Sequence, residues 1–331
     1  MTLLITDEDV RKAVNMAEMV QAIENAFREE KEGSILQPER LNLVTENMLF
    51  RLMPAILPHN NIMGFKAFHG SKTGGWRYLV AVYDATEGSL QAIMDAHYLT
   101  AIRTGAAAGV ATRYLARPDA QTVAVFGSGL EARTNLEAVC VVRQIKKVKV
   151  YSPRKERREQ FADEMGNQLG ISVEPVSLPE QAARGAEIVV VATNTSSSGG
   201  GFAFQGKWIE PGMHINSIGS TMPSLREIDV ETFLRSNLIV IDAPHEQVQR
   251  ESGDVIDAVK QGAFNSSQVI RLKDMLSYNP EKDRKLEAVT LYKSVGEALQ
   301  DISAGTAIYH SAVKRDIGID LGEFLQRKQL G

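Results

Sequence analysis

The chain opens on a helical period. Thr6 precedes Asp7, Glu8 and Asp9, a pattern for an N-cap followed by acid in the first turn, and Met16, Val20, Ile23 and Phe27 then recur at helical spacing. From about residue 41 to 95 the pattern changes. Ile62–Phe68, Tyr78–Tyr83 and Leu90–Met94 are short runs of β-formers bounded by Gly, Asn or Asp, and they predict strands. Ala101–Leu115 is small and Ala-rich and reads as a buried helix, with Pro118-Asp119 marking a boundary after it. Beyond that boundary, Thr122–Phe126, Val148–Tyr151, Glu187–Ala192, His214–Ile218 and Leu238–Ile241 are apolar runs separated by helical stretches, one of them carrying Phe161, Met165 and Leu169 on one face. Apolar strands without polar alternation belong in a parallel sheet covered on both sides, and the alternating order predicts a doubly wound α/β domain. The stretch 196–201, three serines and three glycines, reads as a flexible loop. After Asp242 the chain is helical and polar. Leu286–Ala307 reads as a long last helix, interrupted by Gly296 and Gly305, that returns to complete the first domain.

Composition bounds the function. A length of 331 residues suggests two domains. Lys and Arg number 37 against 41 Asp and Glu, a net charge of −4, which gives no support to nucleic-acid binding. The single cysteine, Cys140, excludes an internal disulfide and a cysteine metal cluster, and its place on a packing face makes it a small core hydrophobe. The six histidines have no metal-ligand spacing, so no metal is expected. No apolar run reaches the roughly 18 residues of a membrane span. Residues 1–5 are too short an apolar stretch, with acid following, for a signal peptide, so a cytoplasmic protein is expected.

The clearest motif is Gly127-Ser128-Gly129-Leu130-Glu131-Ala132, a G-x-G-x-x-A directly after the strand ending at Phe126 and opening a helix. Gly127 permits the tight turn, Gly129 lets the backbone approach a pyrophosphate, and Ala132 lets helix and strand pack closely. The helix N-terminus presents free N–H groups and a positive dipole end to phosphate. Dinucleotide sites for NAD place an acid about 20 residues on. Here Ser152 stands in that place, followed by Arg154, Lys155, Arg157 and Arg158. With no acid to repel it, a 2′-phosphate fits among these cations, which favours NADP(H). The same residues also read as a solvated helix start.

The first domain carries the candidate chemistry. Alternation alone places Lys66 outward on its strand. Turned inward, its amine loses its proton more readily and serves as an acid or base near neutrality. Arg103 enters a helix of small residues, where a buried charge needs a partner, and a bound carboxylate suits a guanidinium. Arg40 and Arg51 each read alone as surface residues.

Several ordered segments together resemble the ornithine cyclodeaminase/mu-crystallin family over nearly the whole chain. They are Met53-Pro54-Ala55, Gly64-Phe65-Lys66, residues 99–104, the Gly127 loop, Asn216-Ser217-Ile218-Gly219, Arg226-Glu227-Ile228-Asp229 and Lys293-Ser294-Val295-Gly296. The resemblance implies a homodimer of α/β subunits. In each, a Rossmann dinucleotide-binding domain, 118–293, is inserted into an α+β substrate and dimerisation domain, 1–117 with 294–331. It implies that Lys66 is the catalytic lysine, that Arg103 and Arg40 bind the substrate carboxylate, and that Thr104, Thr193, Asn194, Ser217, Ile218, Gly219 and Ser294 border the cofactor together with the Gly127 loop. Two positions depart from the cyclodeaminase pattern. Thr221 stands where those enzymes carry an aspartate toward the substrate amine, and Arg51 stands where they carry a glutamate associated with the far amine. The cluster of Arg40, Arg51, Lys66 and Arg103 instead favours an anionic substrate. The expected activity is reduction of the C=N of an α-imino acid by NAD(P)H, or its reverse. The alternatives are an alanine-type dehydrogenase using keto acid and ammonia, an ornithine cyclodeaminase, and a mu-crystallin-like NADP-binding protein without turnover.

Overall fold

The computed structural model describes residues 1–71, 73–193, 201–265, 267–278 and 285–328. In chain order the first elements are β1 (Leu3–Ile5), α1 (Asp7–Ala13), α2 (Met16–Lys31), β2 (Leu41–Val44), β3 (Met48–Leu57), β4 (Ile62–Ser71), β5 (Gly75–Asp84), β6 (Leu90–Asp95) and α3 (His97–Leu115). Next come β7 (Thr122–Phe126), α4 (Leu130–Val142), β8 (Lys147–Tyr151), α5 (Lys155–Leu169), β9 (Ser172–Pro175), α6 (Pro179–Ala183), β10 (Ile188–Val191) and β11 (His214–Ser217). The chain ends with α7 (Val230–Arg235), β12 (Leu238–Ile241), α8 (His245–Glu251), α9 (Gly253–Lys260), β13 (Val269–Arg271), α10 (Leu272–Met275), β14 (Thr290–Lys293), α11 (Ala298–Arg315) and β15 (Ile319–Asp320). Two compact units result, Met1–Arg103 with the segment from Glu297 onward, and Thr104–Gly296. The first division falls inside α3 rather than at Pro118 because residues beyond Arg103 pack into the second unit. Asn216 donates to the Thr112 hydroxyl at 2.9 Å, and the Thr290 hydroxyl donates to the Leu115 carbonyl at 3.3 Å.

The first unit is a mixed sheet in the order β15-β1-β6-β5-β4-β3-β2. Its inner face carries α11, which packs across β3, β4 and β5 and against α2. Helix α1 starts as its sequence predicts, with a reciprocal capping box between Thr6 and Asp9. Gly305 sets how closely α11 approaches, since a Cβ there would sit 2.9 Å from a methyl of Val80 on β5. Asp301 lies one turn before Gly305, so the same helical stripe that meets β5 brings an acid down onto β4.

The second unit is the doubly wound domain expected from the sequence. Its strands run β9-β8-β7-β10-β11-β14-β12-β13, every pairing parallel, with α4 and α5 packed on one side. Strand order reverses between β7 and β10, and ligands of such sheets bind outside the strand carboxyl ends at that point. One expectation is corrected here. Residues 286–307 do not form one helix: Thr290–Lys293 is a strand in the interior of the sheet, and α11 begins only at Ala298. All four strand residues are buried, so the run shows no alternation by which to tell strand from helix. Gly296, at φ 76°, separates the two elements.

Candidate active site

In the first unit Lys66 points inward. It is 2% exposed on β4, opposite Met53 of β3 and Val80 of β5. This reverses the outward reading, because α11 covers this face of the sheet. Lys66 donates to Asp301 Oδ1 at 3.0 Å, and Arg103 Nε donates to the same oxygen at 2.8 Å. Arg103 Nη1 donates to Gln300 Oε1 at 2.9 Å. The amine lies 5.5 Å from the Tyr78 ring centre and 5.9 Å from that of Phe68, and the Arg51 guanidinium lies 5.0 Å from the same Phe68 ring. Arg40 and Arg51 are also buried, not surface residues, and Arg51 Nε donates to Asn42 Oδ1 at 2.5 Å. Burial pushes the Lys66 amine down to about 8, opposed by the Asp301 charge and reinforced by Arg103 and Arg40. The structure thus gathers four cations and one carboxylate. That arrangement suits an anionic ligand beside a group able to lend a proton near neutral pH.

In the second unit Gly127 has φ 118°, and a Cβ there would lie 2.3 Å from the Ala192 carbonyl oxygen. Gly129 is the N-cap of α4 without a side-chain cap, and a Cβ there would meet nothing within 4 Å. The loop therefore leaves open space at Gly129 beside the N-terminus of α4, which fits a pyrophosphate. Ser128 donates to the Ser152 hydroxyl at 3.0 Å, fastening the loop to the end of β8. Arg154 and Lys155 are exposed beside it, and Lys155 pairs with Glu159 at 3.8 Å.

Past the ends of β10, β11 and β14, the expected cofactor-bordering residues are tied to two buried acids. Glu227 accepts from the Ser217 hydroxyl at 2.8 Å, from Gly219 N at 2.6 Å and from Thr193 N at 3.3 Å. Ile218 N donates to the Val191 carbonyl at 3.0 Å. Asp242 accepts from the Ser294 hydroxyl at 2.7 Å and from Val295 N and Gly296 N at 2.9 and 3.0 Å. Thr104 is buried in α3, and Thr221 is half-buried in a turn with its N–H on the Gly219 carbonyl. Asn194 lies outside the described residues. Among the described residues no group of acids, histidines or cysteine is placed to hold a metal ion, and no helix is long and apolar enough to cross a membrane.

A sequence profile of the ornithine cyclodeaminase/mu-crystallin family matches residues 1–316. The chain belongs to that family. A Delta(1)-pyrroline-2-carboxylate reductase of Bacillus cereus is 30% identical over 333 positions, covering 96% of this chain and 98% of the relative. A solved structure of Thermococcus litoralis Delta(1)-pyrroline-2-carboxylate reductase, in complex with NADH and L-proline, is similar with a TM-score of 0.89 and 32% identity, covering 96% of this chain and 100% of that one. An archaeal alanine dehydrogenase dimer with bound NAD is similar with a TM-score of 0.87 and 30% identity, covering 98% and 99%.

Within this family frame, sequence reasoning missed the acids. Asp301 left a readable signal, the one charge in the small and apolar stretch 298–309, and Lys66 and Arg103 both demanded a partner. Glu227 and Lys293 were visible only as parts of matching segments. Lys293 is fully buried, 3.8 Å from Glu227 and 3.6 Å from Asp254. Burial pushes the Glu227 carboxyl up to about 7 against the pull of Lys293, and burial likewise raises that of Asp254. Replacing Lys293 by Met is expected to cost about 3–5 kcal/mol, because two buried carboxylates lose the cation between them. The loss is expected to be larger at pH 9 than at pH 6, since below about 7 Glu227 takes up a proton and needs no counter-charge. Urea unfolding of both proteins at the two pH values measures this, and equal losses would show that the cluster does not titrate.

Proposed function

We propose that the chain is a nicotinamide-dependent oxidoreductase that reduces the C=N of an α-imino acid to the amino acid, or runs the reverse. The observation that carries this reading is Lys66, a buried amine sharing one carboxylate oxygen with a buried arginine, in a chain whose second unit has a free phosphate cradle. Arg103 and Arg40 hold the substrate carboxylate through charge-assisted hydrogen bonds. Lys66 gives its proton to the imine nitrogen and regains one from solvent. Residues 127–131 with Ser152, Thr193, Ser217, Ile218, Gly219 and Ser294 would hold the dinucleotide, which when bound would supply hydride chemistry at the imine carbon. The relatives solved with NADH and NAD support a nicotinamide dinucleotide. Exposed Arg154 and Lys155 at the end of β8, with Ser152 in the acid's place, favour the phosphorylated form. Arg51 and Thr221 leave no acid at the two positions where cyclodeaminases hold a diamine, which argues against ornithine as substrate.

The test follows NADPH and NADH oxidation with 1-pyrroline-2-carboxylate, with iminosuccinate, and with pyruvate plus ammonia. Turnover is expected with a preformed imine and with a lower KM for NADPH. Lys66→Ala and Arg103→Ala are each expected to lower kcat/KM by about 10²–10⁴-fold. Proline and ammonia formed from ornithine without net cofactor reduction would overturn the reading. Turnover confined to pyruvate plus ammonia would replace it with the alanine-type reaction.

The assembly proposed is a homodimer through the outer face of the first unit's sheet. There Met48 and Phe50 of β3 are exposed, Ile56 is exposed beside Leu36, and a groove of about 750 Å³ runs along Pro54, Met63, Phe65 and Tyr83. A continuous apolar face of this kind marks an interface. Light scattering is expected to give a dimer mass for the wild type and a monomer mass for Phe50→Asp combined with Ile56→Asp. A monomeric wild type would refute the assignment.

A further inference from the structure

The two functional cations of the first unit meet on a single atom. Asp301 Oδ1 accepts from Lys66 at 3.0 Å and from Arg103 Nε at 2.8 Å, while Asp301 Oδ2 has no hydrogen-bond partner among the described residues. Hydrogen-bond geometry alone therefore asks for one acceptor oxygen, which an amide would also provide. What the carboxylate adds is charge. The groups facing Lys66 are Asp301 on α11, Arg103 on α3, Arg40 before β2, and the rings of Phe68 and Tyr78 on β4 and β5, with Arg51 of β3 over that same Phe68 ring. Asp301 is thus the acid set against several cations, in the first turn of α11, where the helix dipole favours it.

We propose that Asp301 is a positioning residue that couples carboxylate capture to proton delivery, fixing Lys66 and Arg103 on one oxygen so that an anion arriving at Arg103 loads the proton onto Lys66. This rests on the reading of Lys66 as the proton donor. Before substrate arrives, Asp301 is outweighed, and burial with the charges of Arg103 and Arg40 keeps the amine down at about 8. A substrate carboxylate on the arginines offsets their repulsion and adds an attraction, so the charged amine becomes the favoured form. Near and above pH 8, where the free amine is largely neutral, the acid is then armed when the group to be protonated is in place. In the reverse direction, release of the anion frees the proton.

The coupling is tested first on the unmodified protein with cyclopentanecarboxylate, a carboxylate that has no nitrogen and no reducible bond. Calorimetric titration in buffers of different ionisation enthalpy is expected to show uptake of up to about half a proton per site at pH 8 and near none at pH 6. Lys66→Met is expected to abolish the uptake. Absence of uptake, or uptake that persists in Lys66→Met, overturns the proposal. The role of Asp301 is read from pH profiles of imine reduction. Reduction needs charged Lys66, so kcat/KM falls as pH rises through its titration. Asp301→Asn keeps the shape but removes the charge, and is expected to move that alkaline limb to lower pH by about one unit or more. Asp301→Glu is expected to leave the limb near 8 even where the rate drops. A uniform loss in Asp301→Asn with an unmoved limb means a merely structural role and overturns the proposal. Proton uptake requires no turnover, so failure of the coupling is distinguishable from failure of the reductase reading, which shows as no cofactor oxidation with any imine.

Discussion

A lysine amine and an arginine guanidinium buried under one sheet need an anion in the same place. Two such cations taken from water without one would cost several kcal/mol each, and removing one partner of a buried pair typically costs about 3–5 kcal/mol. The chain meets the need from 235 residues away for Lys66 and 198 away for Arg103, with a single aspartate on its last helix. Much of the first unit follows from that constraint. The close approach of α11, permitted by Gly305 against Val80, puts Asp301 over β4. The burial of that face makes the lysine's proton labile. The shared oxygen holds a guanidinium and an amine in one fixed relation.

The second unit solves a related problem with the same means. Loops at the carboxyl ends of parallel strands have no ladder to fix them, and two buried acids do it here. Glu227 gathers the ends of β10 and β11, and Asp242 gathers the turn after β14. Lys293 stands between Glu227 and Asp254 as their counter-charge. In both units the residues that face ligand in the proposed reaction are carried by buried acids that do not.

The difference between those two classes explains what the sequence revealed. The doubly wound unit was legible because its strands are uniformly apolar and because the glycine loop sits in a fixed context of strand and helix. Lys66 and Arg103 were legible as candidates through matching segments and Arg40 through the family resemblance, yet the burial of Lys66 and Arg40 was not, since alternation on β4 says nothing of a helix arriving from the far end of the chain. For the same reason Asp301 passed unnoticed: its partners are remote, and only tertiary contact joins them. Thr290–Lys293 was misread as helix because a strand covered on both faces has no period. The acids at the strand ends were hidden because each bonds to backbone N–H groups, which carry no residue identity.

The return of α11 also has a meaning in time. A ribosome delivers Lys66 of β4 235 residues, and Arg103 of α3 198 residues, before Asp301. The intervening second unit has its own core and parallel sheet, so it is equipped to fold while the first remains incomplete. Until the last helix emerges, a lysine and an arginine facing the inner sheet have no counter-ion, and closing that face over them is unfavourable. The first unit is therefore a late, high-contact-order event, completed by the same aspartate that completes the site. A nascent or truncated chain lacking α11 has no counter-ion for Lys66 and Arg103, and the buried ion cluster forms only once that helix has been made.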